Sequence, residues 1–261
     1  MCCRWLAVIL LCLAARPAWG GAFAQRQGML LVIQEFTSTT ALEAFDARGR
    51  LAPRPLYRKT TADAALEYGA LDWLTFLGRL EAAQVYTRGP PIAWHRGPGM
   101  SELGARVEMG RALHGDLVFS AQGLLRLPGA QTANPAAAGL NRRETDLRLM
   151  MGGSFEVRDA PGFWSIEAGP RRRSGPEPDE WRAEVAAGYF LLDRLQIVAQ
   201  TQSVFTAKTP IFPQSRSHKA QISLVLNPGR PWSLQLGSFR TLSGVNARRE
   251  TGLLVAWWRR M

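Results

Sequence analysis

The final stretch of the chain, 249–261, alternates between apolar and polar positions with a period of two. One face of the extended strand it predicts carries Thr251, Leu253, Val255, Trp257 and Met261. The opposite face is small or charged except for Leu254, and carries Glu250, Gly252, Ala256, Trp258 and Arg260. This pattern is typical of a strand between lipid and a wet lumen. A soluble β-sandwich strand could show it too, so the prediction depends on recurrence.

The same alternation recurs about a dozen times along the chain. The predicted strands lie near 28–40, 58–68, 74–81, 102–110, 116–127, 144–157, 164–169, 181–191, 195–205, 219–226, 232–237 and 249–261. Links after even-numbered strands are short, and most links after odd-numbered strands are long. An even strand number with this rhythm predicts an all-β fold, a transmembrane antiparallel β-barrel of about 12 strands. Closure satisfies the backbone groups and removes sheet edges, as hydrocarbon requires.

The link between the first two strands contains clear turn chemistry. Asp46-Ala47-Arg48-Gly49 predicts a turn, and Pro53 and Pro55 are expected to block regular pairing before the second strand. Two further links, 83–100 and 128–143, are rich in Gly, Pro, Ala or Asn and are the longest loops that the pattern predicts.

Charged residues fall almost entirely on the face opposite the large apolar ones. The predicted lumen-lining set is Lys59, Asp63, Glu67, Arg79, Glu81, Arg106, Glu108, Arg126, Asp146, Arg148, Arg182, Glu184 and Lys219. Such side chains can set ion preference and steer solutes through a pore. They can equally pair with one another and plug a narrow barrel, and spacing alone does not decide between these two interpretations.

The apolar faces favour a membrane barrel over a soluble β-domain. About a dozen wide apolar faces would overfill the interior of a soluble domain of this size. Aromatic residues also lie near strand ends, where interfacial girdles are expected. These are Tyr68, Trp73, Trp164, Trp181, Tyr189, Trp232 and Trp257.

The first 24 residues have the features of a secretory signal peptide. Arg4 gives a positive start, Leu6–Ala15 is apolar, and Ala22-Phe23-Ala24 is a small-x-small cleavage site. A cut after Gly20 is the alternative. The predicted organisation is therefore a signal peptide over 1–24 and a barrel over 25–261. The apolar run is too short to span a bilayer as a helix, and no later stretch approaches the required length.

Export and composition narrow the chemistry. Cys2, Cys3 and Cys12 all lie in the signal segment, so the mature chain would have no disulfide or thiolate chemistry. The formal net charge is +11 for the whole chain and +9 without Arg4 and Arg16. A basic balance can indicate nucleic acid, anionic lipid or anionic solutes, and export argues against nucleic acid. Arginines pairing with acids and with lipid headgroups is the simplest explanation.

Catalytic and metal sites have little support. His95, His114 and His218 are the only histidines, and none pairs at metal-ligand spacing. His218 lies near Ser215 and Ser217, but a barrel hydrolase needs a nucleophile, a base and an orienting group in one place. We therefore expect no enzyme activity, no cofactor and no metal.

Two short segments resemble a known family. Glu67-Tyr68-Gly69-Ala70-Leu71-Asp72-Trp73-Leu74 is similar to the phrase Glu-Tyr-Gly-Leu-Thr-Asp-x-Leu of transporter-like outer-membrane barrels grouped around proteins of meta-pathway phenol degradation. Gly188–Leu195 resembles the same phrase. The resemblance implies a small-solute channel or transporter-like barrel and assigns no binding residue. The last strand resembles a barrel assembly signal, but it ends in Met261 rather than Phe or Trp.

The sequence thus predicts a small-solute channel or transporter-like barrel with a charged lumen in the outer membrane of a Gram-negative bacterium. A structural or plugged barrel without flux, or a barrel hydrolase, are the alternatives. The expected partners are outer-membrane lipid, the barrel assembly machinery and small solutes. The loops 83–100 and 128–143 are the expected gates.

Overall fold

The computed structural model describes residues 21–89, 91–129, 134–137, 140–228 and 230–261. The predicted signal features before Gly21, with all three cysteines, lie outside the described residues. The cleavage site itself stays a prediction.

Fourteen strands make up one sheet in these described residues. They are β1 (Leu30–Phe45), β2 (Leu51–Leu71), β3 (Leu74–Arg88), β4 (Ile92–Pro98), β5 (Ser101–Ala112), β6 (Leu117–Leu127), β7 (Glu144–Val157), β8 (Ala160–Arg173), β9 (Glu180–Leu192), β10 (Leu195–Thr206), β11 (Ser215–Leu226), β12 (Trp232–Val245), β13 (Ala247–Arg248) and β14 (Thr251–Arg260). Two short 3₁₀ turns, Leu113–Gly115 and Pro135–Ala137, are the other regular elements of the described chain. No helix there is long and apolar enough to cross a membrane.

The sheet closes into an antiparallel barrel of twelve long strands. Each long strand pairs with its neighbours in the chain, and β1 pairs with both β2 and β14. The short strands β4 and β13 only extend the sheet beside β3 and β1. This confirms the predicted fold class and strand number.

The two ends of the barrel differ in the length of their connections. Tight turns such as 72–73, 158–159 and 193–194 lie at the end that holds Leu30 and Met261. The opposite end carries the longer links, including 128–143 and 207–214. By the rule for such barrels, the first end faces the periplasm and the second faces outward.

The outer surface carries a continuous apolar band. Large side chains on alternate positions of every long strand are exposed, among them Phe36, Leu66, Phe76, Leu103, Leu149, Val185, Ile222, Leu236 and Leu253. Tyr68, Trp73 and Trp232 are exposed at the periplasmic edge, and Trp181 at the outer edge. The alternation of β14 is confirmed, because Gly252, Leu254, Ala256 and Trp258 are buried inside.

The link between β1 and β2 is shorter than the prolines suggested. Pro53 lies within β2 opposite Glu43, whereas the pairing of β2 with β3 ends at Tyr57. In residues 51–56, the side of β2 that would face β3 is therefore a free edge. A proline lacks an N–H group, but on a free edge no hydrogen bond between strands is lost. The predicted turn is present: the Asp46 carboxylate accepts hydrogen bonds from the backbone N–H groups of Arg50 and Arg48, which lower its pKa.

Several other strands also extend further than predicted, among them β1, β3 and β12, and residues 83–88 of the predicted loop 83–100 belong to β3. Residues 92–98 form β4 rather than an irregular loop, because Ala93–Arg96 alternates across from Val85 and Tyr86. β8 continues to Arg173, although Gly169 and Pro170 suggested that it ended earlier. In β4 and at the end of β8, glycine and proline residues suggested an irregular segment, although the chain there is extended.

Candidate functional site

The lumen collects the charged residues that the alternation predicted. Lys59, Arg79, Glu81, Arg106, Arg126, Arg148, Arg182, Glu184 and Lys219 line one central cavity. Asp63, Glu67 and Asp146 are buried behind them in ion pairs with Arg79, Arg106 and Arg148. Glu108 is the exception, because it pairs with Arg111 beside the periplasmic turns and does not line the cavity.

Most of these charges belong to ion pairs across neighbouring strands. Asp146 is 1% exposed and accepts hydrogen bonds from Arg148 Nε at 2.8 Å and Arg171 Nε at 2.8 Å. Glu144 accepts from Arg173 Nε at 3.0 Å and is also paired with Arg126. Because each acid lies beside an arginine, this wall of the lumen carries neutral ion pairs and not charges of a single sign.

The predicted set missed several members of this wall. Arg171 and Arg173 were placed in a link, and Glu102, Glu144, Glu167 and Glu180 were left out although each shares a face with a predicted residue. Their alternation continues across Gly169 and Pro170, so extending the period-two pattern through that break would have found the arginines. Glu35 was missed because both faces of the first predicted strand looked apolar.

The wall formed by β10, β11 and β12 is different, because it is lined by amides. Gln200, Gln202, Gln221 and Gln235 all line the cavity. Two carboxylates of the lumen, Glu35 and Glu184, take part in none of the ion pairs found within the described chain. Glu35 accepts a hydrogen bond from Thr37 at 3.0 Å, and Glu184 accepts from Gln200 at 3.3 Å and Gln202 at 3.1 Å.

Two adjoining cavities lead from the outer loops into the lumen. The central one has a volume of about 730 Å³. The outer one, about 760 Å³, is bounded by Phe45, Arg54, Thr87 and Arg248. Both share Tyr57, Arg182, Gln202, Lys219 and Glu250, so together they form one vestibule.

The periplasmic side of this vestibule is closed by the chain itself. Residues 21–29, here called the N-terminal segment, enter the barrel beside Gly69 and cross the lumen to β8. Gln25 donates from its backbone N–H to Thr75 at 2.8 Å and from its amide to Glu67 at 2.8 Å. Arg106 donates to the carbonyl of Phe23 at 3.0 Å, and Ser120 donates to that of Ala22.

An apolar cluster completes the closure. Leu31, Phe163, Val198, Val225 and Trp258 pack against one another inside the barrel. Ala22 and Phe23 of the N-terminal segment pack separately against Val118 and Met150. Gln196 is fully buried on the same inner wall of β10 as Val198. The periplasmic end of the lumen is therefore filled by this apolar packing together with the polar contacts of the N-terminal segment.

The predicted loops pack on one another at the outer end. Ala83, Val85 and Ala93 form a buried cluster with Ala136, Ala137 and Leu140. Asn134 also donates from its amide to the carbonyl of Trp94 at 2.6 Å. The described parts of these loops thus form a packed cap over one side of the barrel mouth.

His218 has a different serine partner from those expected. Its Nδ1 lies 2.9 Å from Ser203 Oγ, directly across the β10–β11 ladder, and its ring meets Phe205 edge-on. Ser215 pairs instead with Thr206. Ser203 borders the central cavity, but its side chain and that of Phe205 alternate with the inward Gln202, so the pair points to the outer face of the sheet. Within the described residues no group of three side chains could hold a metal ion.

Comparison with solved structures supports this architecture. The COG4313 outer membrane channel from Pseudomonas putida F1 superposes with a TM-score of 0.76 over 94% of this chain and 100% of that chain, at 15% sequence identity. This chain has the fold of an outer-membrane channel. The β domain of the Bordetella autotransporter BrkA is a more distant match, with a TM-score of 0.54 and 9% identity over 89% of this chain and 99% of that one.

The sequence alone finds no relatives of this kind. No protein-family model matches the chain, and no curated protein is similar to it in sequence. At 15% identity the likeness to the channel is one of fold.

Proposed function

We propose that this protein is a small-solute channel or transporter-like barrel of the Gram-negative outer membrane and not an enzyme. The observation that carries the proposal is the vestibule, which runs from the outer loops to the N-terminal segment and is walled by charged and amide side chains. A lumen of this kind offers hydrogen bonds and fixed charges to a hydrated solute along its path. Its partners would be outer-membrane lipid, the assembly machinery and the solute.

The wall favours small hydrophilic solutes. Amides of Gln200, Gln202 and Gln221 face the ion-paired arginines and carboxylates across the cavity, so donors and acceptors are available on both sides. The paired charges would exclude neither sign strongly, which suits neutral or zwitterionic molecules better than a single class of ion.

A plugged barrel without flux is the second candidate, and a specific observation favours it. The inward charges are extensively paired, and the N-terminal segment is anchored by hydrogen bonds to the four strands β2, β3, β5 and β6. In that case the charges are scaffold and their loss would lower stability without changing permeability.

A barrel hydrolase is less well supported. Ser203 and His218 contact each other, but on the outer face and within a regular ladder. A triad also needs a group that orients the imidazole and donors for an oxyanion. The contacts described for His218, a serine hydroxyl and a phenylalanine ring, supply neither.

Solute uptake by proteoliposomes tests the proposal. Liposomes that hold the refolded barrel without residues 21–28 should swell in isotonic solutions of small neutral sugars or amino acids, at a rate that falls with solute size. Liposomes that hold the intact mature chain should swell more slowly, because the N-terminal segment closes the lumen. Glu184→Gln should change the relative rates for cationic and anionic amino acids. A heat-modifiable, folded barrel that admits no solute, with or without the N-terminal segment, would favour the plugged barrel.

A further inference from the structure

The N-terminal segment raises the question of where the mature chain begins. Two small-x-small sites are available: Ala18-Trp19-Gly20 directs a cut before Gly21, and Ala22-Phe23-Ala24 directs a cut before Gln25. The sequence satisfies both, but the second cut would remove four residues, of which Gly21, Ala22 and Phe23 contact the lumen wall. We propose that signal peptidase cuts between Gly20 and Gly21, and that the new α-ammonium group of Gly21 completes an acidic site on β8 and β9.

The contacts of Ala22 and Phe23 support the first part of the proposal, the cut between Gly20 and Gly21. Ala22 is fully buried against Val118 and Met150. Its carbonyl accepts from Ser120, whose side chain is also fully buried. A cut before Gln25 would leave the Ser120 hydroxyl without this acceptor and uncover the apolar residues, and each loss is unfavourable.

The barrel wall also leaves space for Ala22 and Phe23, because Gly152 of β7 lies against them. A Cβ atom at Gly152 would lie 3.1 Å from Ala22 Cβ and 3.3 Å from the ring of Phe23. A side chain on β7 at this point would therefore push against the segment. The glycine leaves room for residues 22 and 23, which a mature chain starting at Gln25 would not contain.

The surroundings of Gly21 support the second part of the proposal, the acidic site that its α-ammonium group completes. A Cβ atom at Gly21 would lie 3.0 Å from Ser165 Oγ, and Gly21 lines the central cavity with Glu167 and Glu184. Glu167 is the next inward residue after Ser165, about 7 Å along β8, and Glu184 lies directly opposite it on β9. Arg148 is paired with Glu167, whereas Glu184 accepts only amide hydrogen bonds within the described chain.

The cleavage supplies the charge that this acidic pair lacks. Hydrolysis adds water across the Gly20–Gly21 peptide bond, leaving a carboxylate on Gly20 and an amine on Gly21. That amine takes up a proton at neutral pH, because a free α-amino group titrates near pH 8. Two opposed carboxylates with a single arginine favour a second cation between them. The position of signal cleavage then determines the balance of charge at this point of the lumen.

The first test is the N-terminus of the protein extracted from outer membranes, read by intact mass and N-terminal sequencing. We expect Gly21. Gly20→Leu should block the normal cut and leave precursor or a shifted terminus, whereas Ala24→Leu should be processed as the wild type. A mature chain that begins at Gln25, with Ala24→Leu as the variant that blocks processing, would overturn the proposal.

The second test addresses the ammonium group separately. ¹³C-dimethylation of the α-amine gives an NMR signal that reports its titration. In Glu167→Gln and Glu184→Gln the titration midpoint should fall relative to the wild type, whereas Glu108→Gln at the periplasmic rim should leave it unchanged. An unchanged midpoint in both lumen variants would show that the amine does not interact with the acidic pair, even if the chain starts at Gly21.

Discussion

At the scale of single residues, Gly69 decides how the N-terminal segment docks. A Cβ atom there would lie 2.0 Å from the backbone carbonyl oxygen of Arg26, too close for the segment to keep its place. Gly69 also exchanges backbone hydrogen bonds with Gly28 and Met29. Only a residue without a side chain allows this close approach.

Gly69→Val should therefore expel the segment while the barrel still forms. Overpacking of this kind costs about 1–3 kcal/mol, which corresponds to a rise of roughly 5- to 150-fold in the ratio of undocked to docked segment. Trypsin cleavage after Arg26 should accelerate accordingly. Gly110→Val is the matched control, since a Cβ atom at Gly110 meets nothing within 4 Å. Equal cleavage rates in both variants would contradict this role of Gly69.

Arg106 provides the second prediction at this scale. It is 3% exposed and holds both Glu67 and the carbonyl of Phe23. Arg106→Ala should lower the free energy of unfolding by about 1–3 kcal/mol, because buried acceptors lose a charged donor.

Arg111 gives a control for that measurement. Its pair with Glu108 is partly solvent-exposed at the barrel rim, so Arg111→Ala should cost only about 0–1 kcal/mol. Urea titration of the refolded barrels would compare the two variants. Similar losses for both would mean that Arg106 acts as an ordinary rim charge.

At the scale of the elements, the sequence predicted the faces of the strands better than their ends. Alternation depends only on which side of the sheet a residue lies, so β7 and β14 were predicted closely. The ends of β2 and β8 depend on whether a proline sits at a free edge, which only the pairing shows. The N-terminal segment could not be predicted, because its small residues have no periodicity and its role requires a closed barrel around it.

The loops 83–100 and 128–143 allow a test of which element closes the lumen. Their described parts pack together through Ala83, Ala93 and Ala137 at the outer mouth, away from the N-terminal segment. Replacing 130–139 with a short Gly-Ser linker should loosen this cap and leave the periplasmic closure intact. We expect conductance to stay low in that variant. A large rise in conductance would show that the loops are the gate.

At the scale of the whole molecule, the excess of arginine is not in the central cavity. The chain carries a formal charge of +11, but the arginines that line the central cavity are paired with acids. Glu35 and Glu184 are the lumen acids outside the ion pairs of the described chain. The basic composition therefore does not imply a preference of the lumen for anions, and the pairing of arginines with acids that the sequence analysis favoured accounts for the central cavity. The sequence indicated which residues face inward, but not how they pair, because pairing depends on strand register.

We expect an opened barrel to show weak cation preference. Glu184→Gln should move the reversal potential in a salt gradient toward that of chloride, and Asp146→Asn should move it further, since it leaves Arg148 and Arg171 without their shared carboxylate. Glu108→Gln, outside the cavity, should not change it. A wild-type preference for chloride would contradict this distribution of charge.

The measurement that most directly tests the central claim is single-channel conductance in planar bilayers, comparing the mature protein with a variant that lacks residues 21–28. The account predicts small or rare steps for the intact chain. It predicts larger, long-lived steps once the segment that crosses the lumen is removed. Equal conductance in the two proteins, both folded and heat-modifiable, would contradict a solute pathway that the N-terminal segment closes.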